Sequence, residues 1–204
     1  MDRRGFTLIE LLVVICILAV LISLSVVGLG IALDHRRRAA TETLLQNLSG
    51  ALAAYQVRWG DYPPSSIAEL GGRAPNDLNN GAEALAAALG SGKKGSVLFQ
   101  HDDLMGNTDN DSVDRNLTDW YWGTNELFEI HDAYGYVIVY FHGKDLAKPR
   151  KELTRYRFSA DEAELEVAPE LHPTTKSFVG AGRYQLRSVG KDGKPGTADD
   201  LRPE

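Results

Sequence analysis

The chain of 204 residues contains a single cysteine, Cys16, so it cannot form an intrachain disulfide. It is also short of positive charge, because Lys and Arg total 22 against 28 Asp and Glu. Residues 1–38 hold five of the basic and three of the acidic residues, which leaves 17 against 25 in the remainder. This acidic remainder argues against general binding of nucleic acid, which requires Lys and Arg to neutralise phosphates. The length suits one modest domain.

Sequence motifs of familiar enzyme classes are also missing. The five histidines lack the H-E-x-x-H spacing of zinc proteases, and no G-x-S-x-G nucleophile elbow occurs. A glycine-rich stretch at residues 90–96 lacks the final lysine of a phosphate-binding loop. We therefore expect the protein not to be an enzyme.

One long apolar run lies near the start of the chain. Residues 11–33 are 23 residues without a charge, and a helix of that length measures about 34 Å at about 1.5 Å per residue. That length is enough to cross a bilayer core of about 30 Å. A secretory signal peptide usually has a shorter apolar core. Gly28 and Gly30 weaken the helix here, and they either allow a bend or serve close packing of small residues.

The helical pattern continues beyond the apolar run. Apolar residues recur at intervals of three and four, as on one face of a helix, at Leu44, Leu45, Leu48, Ala51, Leu52 and Tyr55. Gly60 and the pair Pro63-Pro64 end the pattern. We therefore expect one helix over about residues 6–59, apolar in its first half and amphipathic in its second.

Glu10 is the one acid within the first apolar turn. A carboxylate in hydrocarbon is costly and is kept mostly where it has a partner. No Lys, Arg or His lies between residues 5 and 34. Cleavage after Gly5 would supply a partner, because the new amine of Phe6 could meet Glu10 of a neighbouring helix. The alternative is that lipid headgroups solvate Glu10 at the membrane interface.

The stretch GFTLIELLVV, residues 5–14, resembles the processing signal of type IV prepilins and type II secretion pseudopilins. The resemblance implies that a prepilin peptidase cleaves between Gly5 and Phe6 and methylates the amine of Phe6. It also implies that Glu10 recruits and registers subunits in a growing filament. The apolar helix would first lie in the inner membrane and later form the core of a fibre.

The resemblance also implies a division of the chain. Residues 1–5 would be a cytoplasmic leader, residues 6–33 a single transmembrane and filament-core helix, and residues 34–204 a periplasmic domain. The globular domain of this family is usually shorter, so residues 71–131 are expected to be an insertion.

Several segments have the composition of strands. The β-branched and aromatic run at residues 134–141 is the strongest, residues 153–158 and 163–167 indicate a hairpin, and residues 184–189 alternate as a last strand. The sequence DAYG at residues 132–135 is similar to the D-x-W-G entry to the first sheet strand of major pseudopilins. We expect an α+β, type IV pilin-like fold, in which the long helix packs on a small antiparallel sheet.

Within the expected insertion, residues 82–89 predict a short helix, and residues 101–119 are acidic and nearly free of apolar side chains. Asp109, Asp111 and Asp114 could supply oxygen ligands to a cation. No EF-hand spacing is present, and we favour a solvated loop over a metal site.

The stretch SVGKDGKPGTADDL, residues 188–201, contains two tight turns that could bring Asp192 near Asp199 and Asp200. Three carboxylates in one loop repel each other unless a cation lies among them, and Ca²⁺ suits such oxygen ligands. The alternative is a polar tail with a β-turn. The stretch resembles the calcium loop of major type II pseudopilins, which implies that Asp192, Asp199 and Asp200 bind Ca²⁺ through their side chains.

Together these resemblances predict a major-type pseudopilin of a type II secretion system. Such a subunit polymerises with its own copies into a short periplasmic fibre that helps to export folded proteins. The implied partners are prepilin peptidase, minor pseudopilins and an inner-membrane assembly platform. The alternatives are a pilin of a type IV or competence pilus, and a membrane-anchored periplasmic binding module that does not polymerise.

Overall fold

The computed structural model describes residues 7–90, 99, 102–113 and 125–203. In these parts of the chain the helices are α1 (Leu8–Trp59), α2 (Asn80–Gly90) and α3 (Lys151–Thr154). The strands are β1 (Met105–Gly106), β2 (Glu129–Ile130), β3 (Val139–His142), β4 (Arg155–Tyr156), β5 (Leu165–Glu166) and β6 (Tyr184–Arg187). The chain divides into two units, residues 1–38 and residues 39–204.

The unit of residues 1–38 contains the beginning of α1. Its large apolar side chains with a described exposure, from Leu8 to Leu33, are 45% to 83% exposed. In the part of the chain whose side chains the structure describes, no helix combines the length and the apolarity needed to cross a membrane.

The unit of residues 39–204 is built on the second half of α1. All six apolar positions predicted from the spacing of three and four are buried, and Leu45, Leu48 and Leu52 are fully inaccessible. They share one core cluster with Tyr140 of β3 and Leu186 of β6. The structure thus confirms the α+β fold, with the long helix packed on a small antiparallel sheet.

The central strand pair is β3 and β6, which run antiparallel with Tyr140 opposite Leu186. The strand predicted over residues 134–141 begins later than expected. Asp132 holds a turn there, because its Oδ1 accepts the N–H groups of Tyr134 and Tyr136 at 2.9 and 3.0 Å. Gly135 closes this turn with a φ of 92°, a conformation that glycine adopts readily.

The described residues also form two shorter antiparallel pairs, separate from this sheet. The pair β4–β5 confirms the predicted hairpin, with Tyr156 opposite Leu165. The pair β1–β2 places Met105 opposite Ile130. Both of its strands lie within residues 71–131, the segment expected to be an insertion.

Helix α2 also belongs to that segment, and all of its residues are buried. It begins at Asn80, two residues before the predicted start. Gly81 fits closely against β3, since a Cβ there would lie 2.4 Å from the carbonyl oxygen of Tyr140. The segment 71–131 therefore contributes to the core of its unit.

Candidate functional site

The predicted processing residues, Gly5 and Phe6, lie outside the described residues. The first described residue is Thr7, which forms a reciprocal cap with Glu10. The backbone N–H and the hydroxyl of Thr7 donate to Glu10 Oε2 at 2.8 and 2.7 Å. In return, Glu10 N–H donates to Thr7 Oγ1 at 3.3 Å. This is a capping box, in which two side chains satisfy free N–H groups at a helix start.

The capping box adds a role for Glu10 that the sequence analysis did not identify. The spacing T-x-x-E ahead of an apolar run is the known signature of this cap and was present in the sequence. The Glu10 carboxylate therefore has partners within its own helix. Pairing with a neighbour's amine would have to compete with the contacts of Thr7 or add to them.

Asp192, Asp199 and Asp200 lie in a loop whose backbone N–H groups donate hydrogen bonds to these carboxylates. Asp192 Oδ1 accepts from the N–H of Lys194 at 2.8 Å, and Asp199 Oδ2 accepts from the N–H of Asp192 at 3.0 Å. The hydroxyl of Thr197 lies 2.5 Å from Asp199 Oδ1 and 3.3 Å from Asp192 Oδ1. The loop is therefore well organised around Asp192 and Asp199.

Asp200 differs from the other two acids because its side chain is only 2% exposed. Its Oδ2 accepts from Gly196 N–H at 2.9 Å and lies 3.9 Å from Nη1 of the buried Arg187. Its Oδ1 is buried without a hydrogen-bond partner. An arginine of β6 thus supplies a positive charge within 4 Å of Asp200.

The same loop is tied to the sheet by backbone pairing. Ser188 and Leu201 exchange hydrogen bonds of 2.9 and 3.0 Å, directly after β6. The oxygens of Asp192, Asp199 and Asp200 do not converge into a group of three within 4.8 Å.

A different set of three carboxylates does converge. Glu83, Asp109 and Asp111 each place one oxygen within 4.8 Å of the others, in the only such group among the described residues. Glu83 lies in the first turn of α2 and is fully buried, whereas the two aspartates follow β1. The solvated loop expected over residues 101–119 is therefore wrong at Asp111, which is buried. Asp114, the third candidate, lies outside the described residues.

The loop after β1 is folded by its own polar side chains. Asn107 Nδ2 donates to the carbonyl of Asp111 at 2.7 Å, and Asn107 Oδ1 accepts from the N–H of Asp111 at 3.0 Å. A bridge between Ser112 and Glu126 continues this order. From composition alone these polar residues were expected to face solvent. Instead, they form hydrogen bonds with the backbone of their own loop.

Asn76 orients the two aspartates. Its Nδ2 lies 2.7 Å from Asp109 Oδ2 and 3.1 Å from Asp111 Oδ2, and it donates to both. The other oxygens, Asp109 Oδ1 and Asp111 Oδ1, are buried without hydrogen-bond partners, as are both carboxylate oxygens of Glu83. These four buried oxygens therefore accept no hydrogen bond from an N–H or hydroxyl group, although Glu83 and Asp111 lie close enough to share a proton when one of them is protonated.

A fourth acid, Glu129 of β2, lies beside the cluster but has its own donors. Asn79 Nδ2 donates to Glu129 Oε1 at 2.8 Å, and Thr108 N–H donates to Glu129 Oε2 at 2.9 Å. The Thr108 hydroxyl also lies 2.9 Å from His131 Nε2. Both carboxylate oxygens of Glu129 therefore accept hydrogen bonds, whereas neither oxygen of Glu83 does.

Burial disfavours the ionised form of these acids. It raises the pKa of Glu83 well above its ordinary value, and the charges of Asp111, Glu129 and Asp109 raise it further. Burial and the Asp109 charge raise the pKa of Asp111 to about 7. Burial raises the pKa of Glu129 to about 8, although its hydrogen bonds act in the opposite direction.

A comparison with protein families found a match at the start of the chain. The model for the prokaryotic N-terminal methylation motif matches residues 1–26. This match supports a type IV pilin-like protein that prepilin peptidase processes and that forms filaments. A comparison with curated proteins found no match, and neither did a comparison with solved structures.

Proposed function

We propose that the chain is a structural, non-catalytic subunit of the pseudopilus of a type II secretion system. The observation that carries the proposal is the methylation motif over residues 1–26. It covers the start of α1, whose large apolar side chains from Leu8 to Leu33 are largely exposed within their own unit. Such a surface requires cover from lipid or from other subunits.

The proposed assembly follows from this helix. After cleavage between Gly5 and Phe6, the helix of residues 6–33 anchors the subunit in the inner membrane, with residues 34–204 in the periplasm. Subunits brought in by the assembly platform and the minor pseudopilins then pack these helices side by side. The methylated amine of Phe6 and the carboxylate of a neighbour's Glu10 set the stagger between successive subunits.

The choice of a secretion pseudopilus over a pilus depends on the C-terminal loop. Its sequence resembles the calcium loop of major pseudopilins, and Asp192, Asp199 and Asp200 would supply the carboxylates. The unpartnered Oδ1 of Asp200 is consistent with a cation there. The Arg187 side chain, 3.9 Å from the same carboxylate, already supplies one positive charge. An ion would brace a loop that backbone pairing also holds.

Mass spectrometry of the mature protein tests the processing step. We expect a chain that begins with N-methylated Phe6. A bulky residue in place of Gly5 should block cleavage, and the uncleaved chain should remain in the membrane fraction. A mature chain that still begins at Met1, or that begins beyond residue 20, would contradict the proposal.

Deletion of the gene separates secretion from the pilus alternative. We expect folded exoproteins to accumulate in the periplasm of the deletion strain. Loss of surface pili or of DNA uptake, with normal secretion, would instead favour a type IV or competence pilin. Normal behaviour in both assays, together with a monomeric mature protein, would favour an anchored binding module.

A further inference from the structure

We propose that Glu83, Asp109 and Asp111 form a buried binding site for a divalent cation, with Ca²⁺ as the favoured ion. This site is separate from the C-terminal loop and lies wholly within the unit of residues 39–204. The proposal does not depend on filament formation or on the secretion system that the subunit serves.

The first argument is the unmet bonding of Glu83. Its side chain is inaccessible to solvent, and neither carboxylate oxygen has a hydrogen-bond partner. The rest of α2 consists mainly of alanine and leucine, so an apolar residue would pack there without this cost. A buried carboxyl group whose oxygens accept no hydrogen bond is costly, and a cation among the three acids would coordinate those oxygens.

The second argument is that Asn76 and Asn107 hold the other two acids beside Glu83. Asn76 occupies the Oδ2 atoms of Asp109 and Asp111, while their Oδ1 atoms remain unpartnered in the buried group of three. Asn107 fixes the backbone between them by bonding both main-chain groups of Asp111. Neighbours that hold ligands in place in this way are typical of metal sites.

The third argument is charge. None of the described Lys and Arg side chains forms a salt bridge with Glu83, Asp109 or Asp111. The guanidinium of Arg157, which acts on Asp109 from a distance, pairs with Glu164 at 3.2 Å. Three ionised carboxylates would therefore repel each other with only the distant charge of Arg157 to compensate. A divalent cation supplies the missing positive charge within the group.

The chemistry of the donors favours a hard cation. All four unpartnered atoms are carboxylate oxygens, and the three-residue group contains neither a histidine nitrogen nor a thiolate. Zinc and copper prefer nitrogen and sulfur ligands, whereas calcium accepts oxygen ligands in flexible geometry, including a glutamate through both oxygens. Magnesium requires stricter octahedral geometry and should bind more weakly.

The test uses the full-length chain in detergent. Two substitutions in the C-terminal loop prevent that loop from binding calcium, and the resulting protein is called loop-deficient. In an Asp192→Asn, Asp199→Asn background, calcium titration should still show one site. Calcium at a hundredfold excess over its dissociation constant should raise the melting temperature by about 5–10 °C. Adding Glu83→Gln should weaken calcium binding at least tenfold and remove that rise.

A measurement in chelator and two further variants show whether the loss of calcium binding reflects a general loss of folding. In chelator, Glu83→Gln should melt close to the temperature of its parent, because burial already disfavours the ionised form of Glu83 when no cation is bound. Asp103→Asn makes the same change of charge at an exposed position and should leave calcium binding unchanged. Asp111→Asn should behave like Glu83→Gln.

The outcomes are distinct. An equal calcium response with and without Glu83→Gln would overturn the proposal, as would the absence of calcium binding in the loop-deficient background. Stronger binding of magnesium than of calcium would overturn the choice of ion. Normal secretion in the deletion strain would contradict the proposed function alone, because it says nothing about calcium binding by the purified protein.

Discussion

Two acidic regions of this molecule invite the same hypothesis but differ in how they satisfy their charges. In the C-terminal loop, Asp192, Asp199 and Asp200 each accept a backbone N–H of that loop. In the buried cluster, both oxygens of Glu83 have no donor. The region with a recognisable sequence pattern is thus the better satisfied of the two.

The comparison indicates that acidic composition is a weaker guide to a cation than unsatisfied burial. An exposed or internally bonded carboxylate interacts with water and N–H groups, so binding of an ion adds little to its stabilisation. A buried carboxylate without donors has no such alternative. We therefore expect the cluster to depend on calcium more strongly than the loop does.

The largest expected effect of a single substitution concerns Asp200, which faces Arg187 rather than the other two acids. Asp200→Ala should lower the free energy of unfolding by about 3 kcal/mol, because it leaves a buried arginine without its carboxylate. Chemical denaturation with and without calcium measures the effect. A similar loss in chelator and in calcium is expected if the arginine is the main partner.

Asp199→Ala serves as the control for that change, because Asp199 is not in contact with Arg187. It should cost less than Asp200→Ala in chelator. If Asp200→Ala destabilised the protein only when calcium was present, calcium and not Arg187 would be the main partner of Asp200, and the contrast between the two regions would be lost.

The second effect concerns Asn76, the amide that orients Asp109 and Asp111. Asn76→Ala should lower stability in chelator by about 2 kcal/mol, because two buried oxygens lose their shared donor. It should also weaken calcium binding at the cluster by about 10–100-fold, as is usual for residues that position ligands. Calorimetric titration of the loop-deficient protein measures this. Unchanged affinity would mean that the aspartates need no such support.

The sequence predicted the parts of the fold that depend on local periodicity. The buried face of α1 follows from apolar residues at Leu44, Leu48 and Leu52, and the β4–β5 hairpin follows from two short strand-like runs. The start of β3 was missed because the side chain of Asp132 organises a turn inside an apolar run. Such a turn depends on one side chain and not on the average composition of the segment.

The buried cluster could be predicted only in part. The pair Asp109 and Asp111, with one residue between them, is a spacing common among cation ligands. Glu83, however, belongs to another element, and no local pattern indicates that α2 packs against this loop. The convergence depends on tertiary packing, as does the burial that turns an apparently solvated loop into a candidate site.

The third effect concerns pH in the absence of metal. Glu129 has a pKa of about 8 in the folded chain and near 4.5 when unfolded. Between these values the folded chain holds a proton that the unfolded chain has lost, so raising the pH favours unfolding. Stability in chelator should fall by about 1.4 kcal/mol per pH unit for each such group. Asp111 adds to the slope up to about pH 7.

Denaturation midpoints between pH 5 and 8 test this. Glu129→Gln should flatten the slope, whereas Asp103→Asn, at an exposed position, should not. Saturating calcium should also flatten the part of the slope that comes from the cluster, because the bound ion favours its ionised form. The C-terminal loop provides the contrast, since hydrogen bonds from Thr197 and from loop N–H groups lower the pKa of Asp199. A slope of the opposite sign would contradict this account of the buried acids.

The smallest expected effect extends the comparison from the two acidic regions to Glu10, at the start of α1. Its carboxylate, like those of the C-terminal loop, accepts nearby donors, in this case from Thr7. Thr7→Val removes the hydroxyl of the capping box and should weaken the start of α1 by about 1 kcal/mol. Glu10→Ala removes the cap together with the carboxylate proposed to meet Phe6 of a neighbour. Fibre yield should therefore fall little in Thr7→Val and severely in Glu10→Ala, with normal cleavage in both. Equal losses would show that Glu10 acts in assembly mainly by capping its own helix.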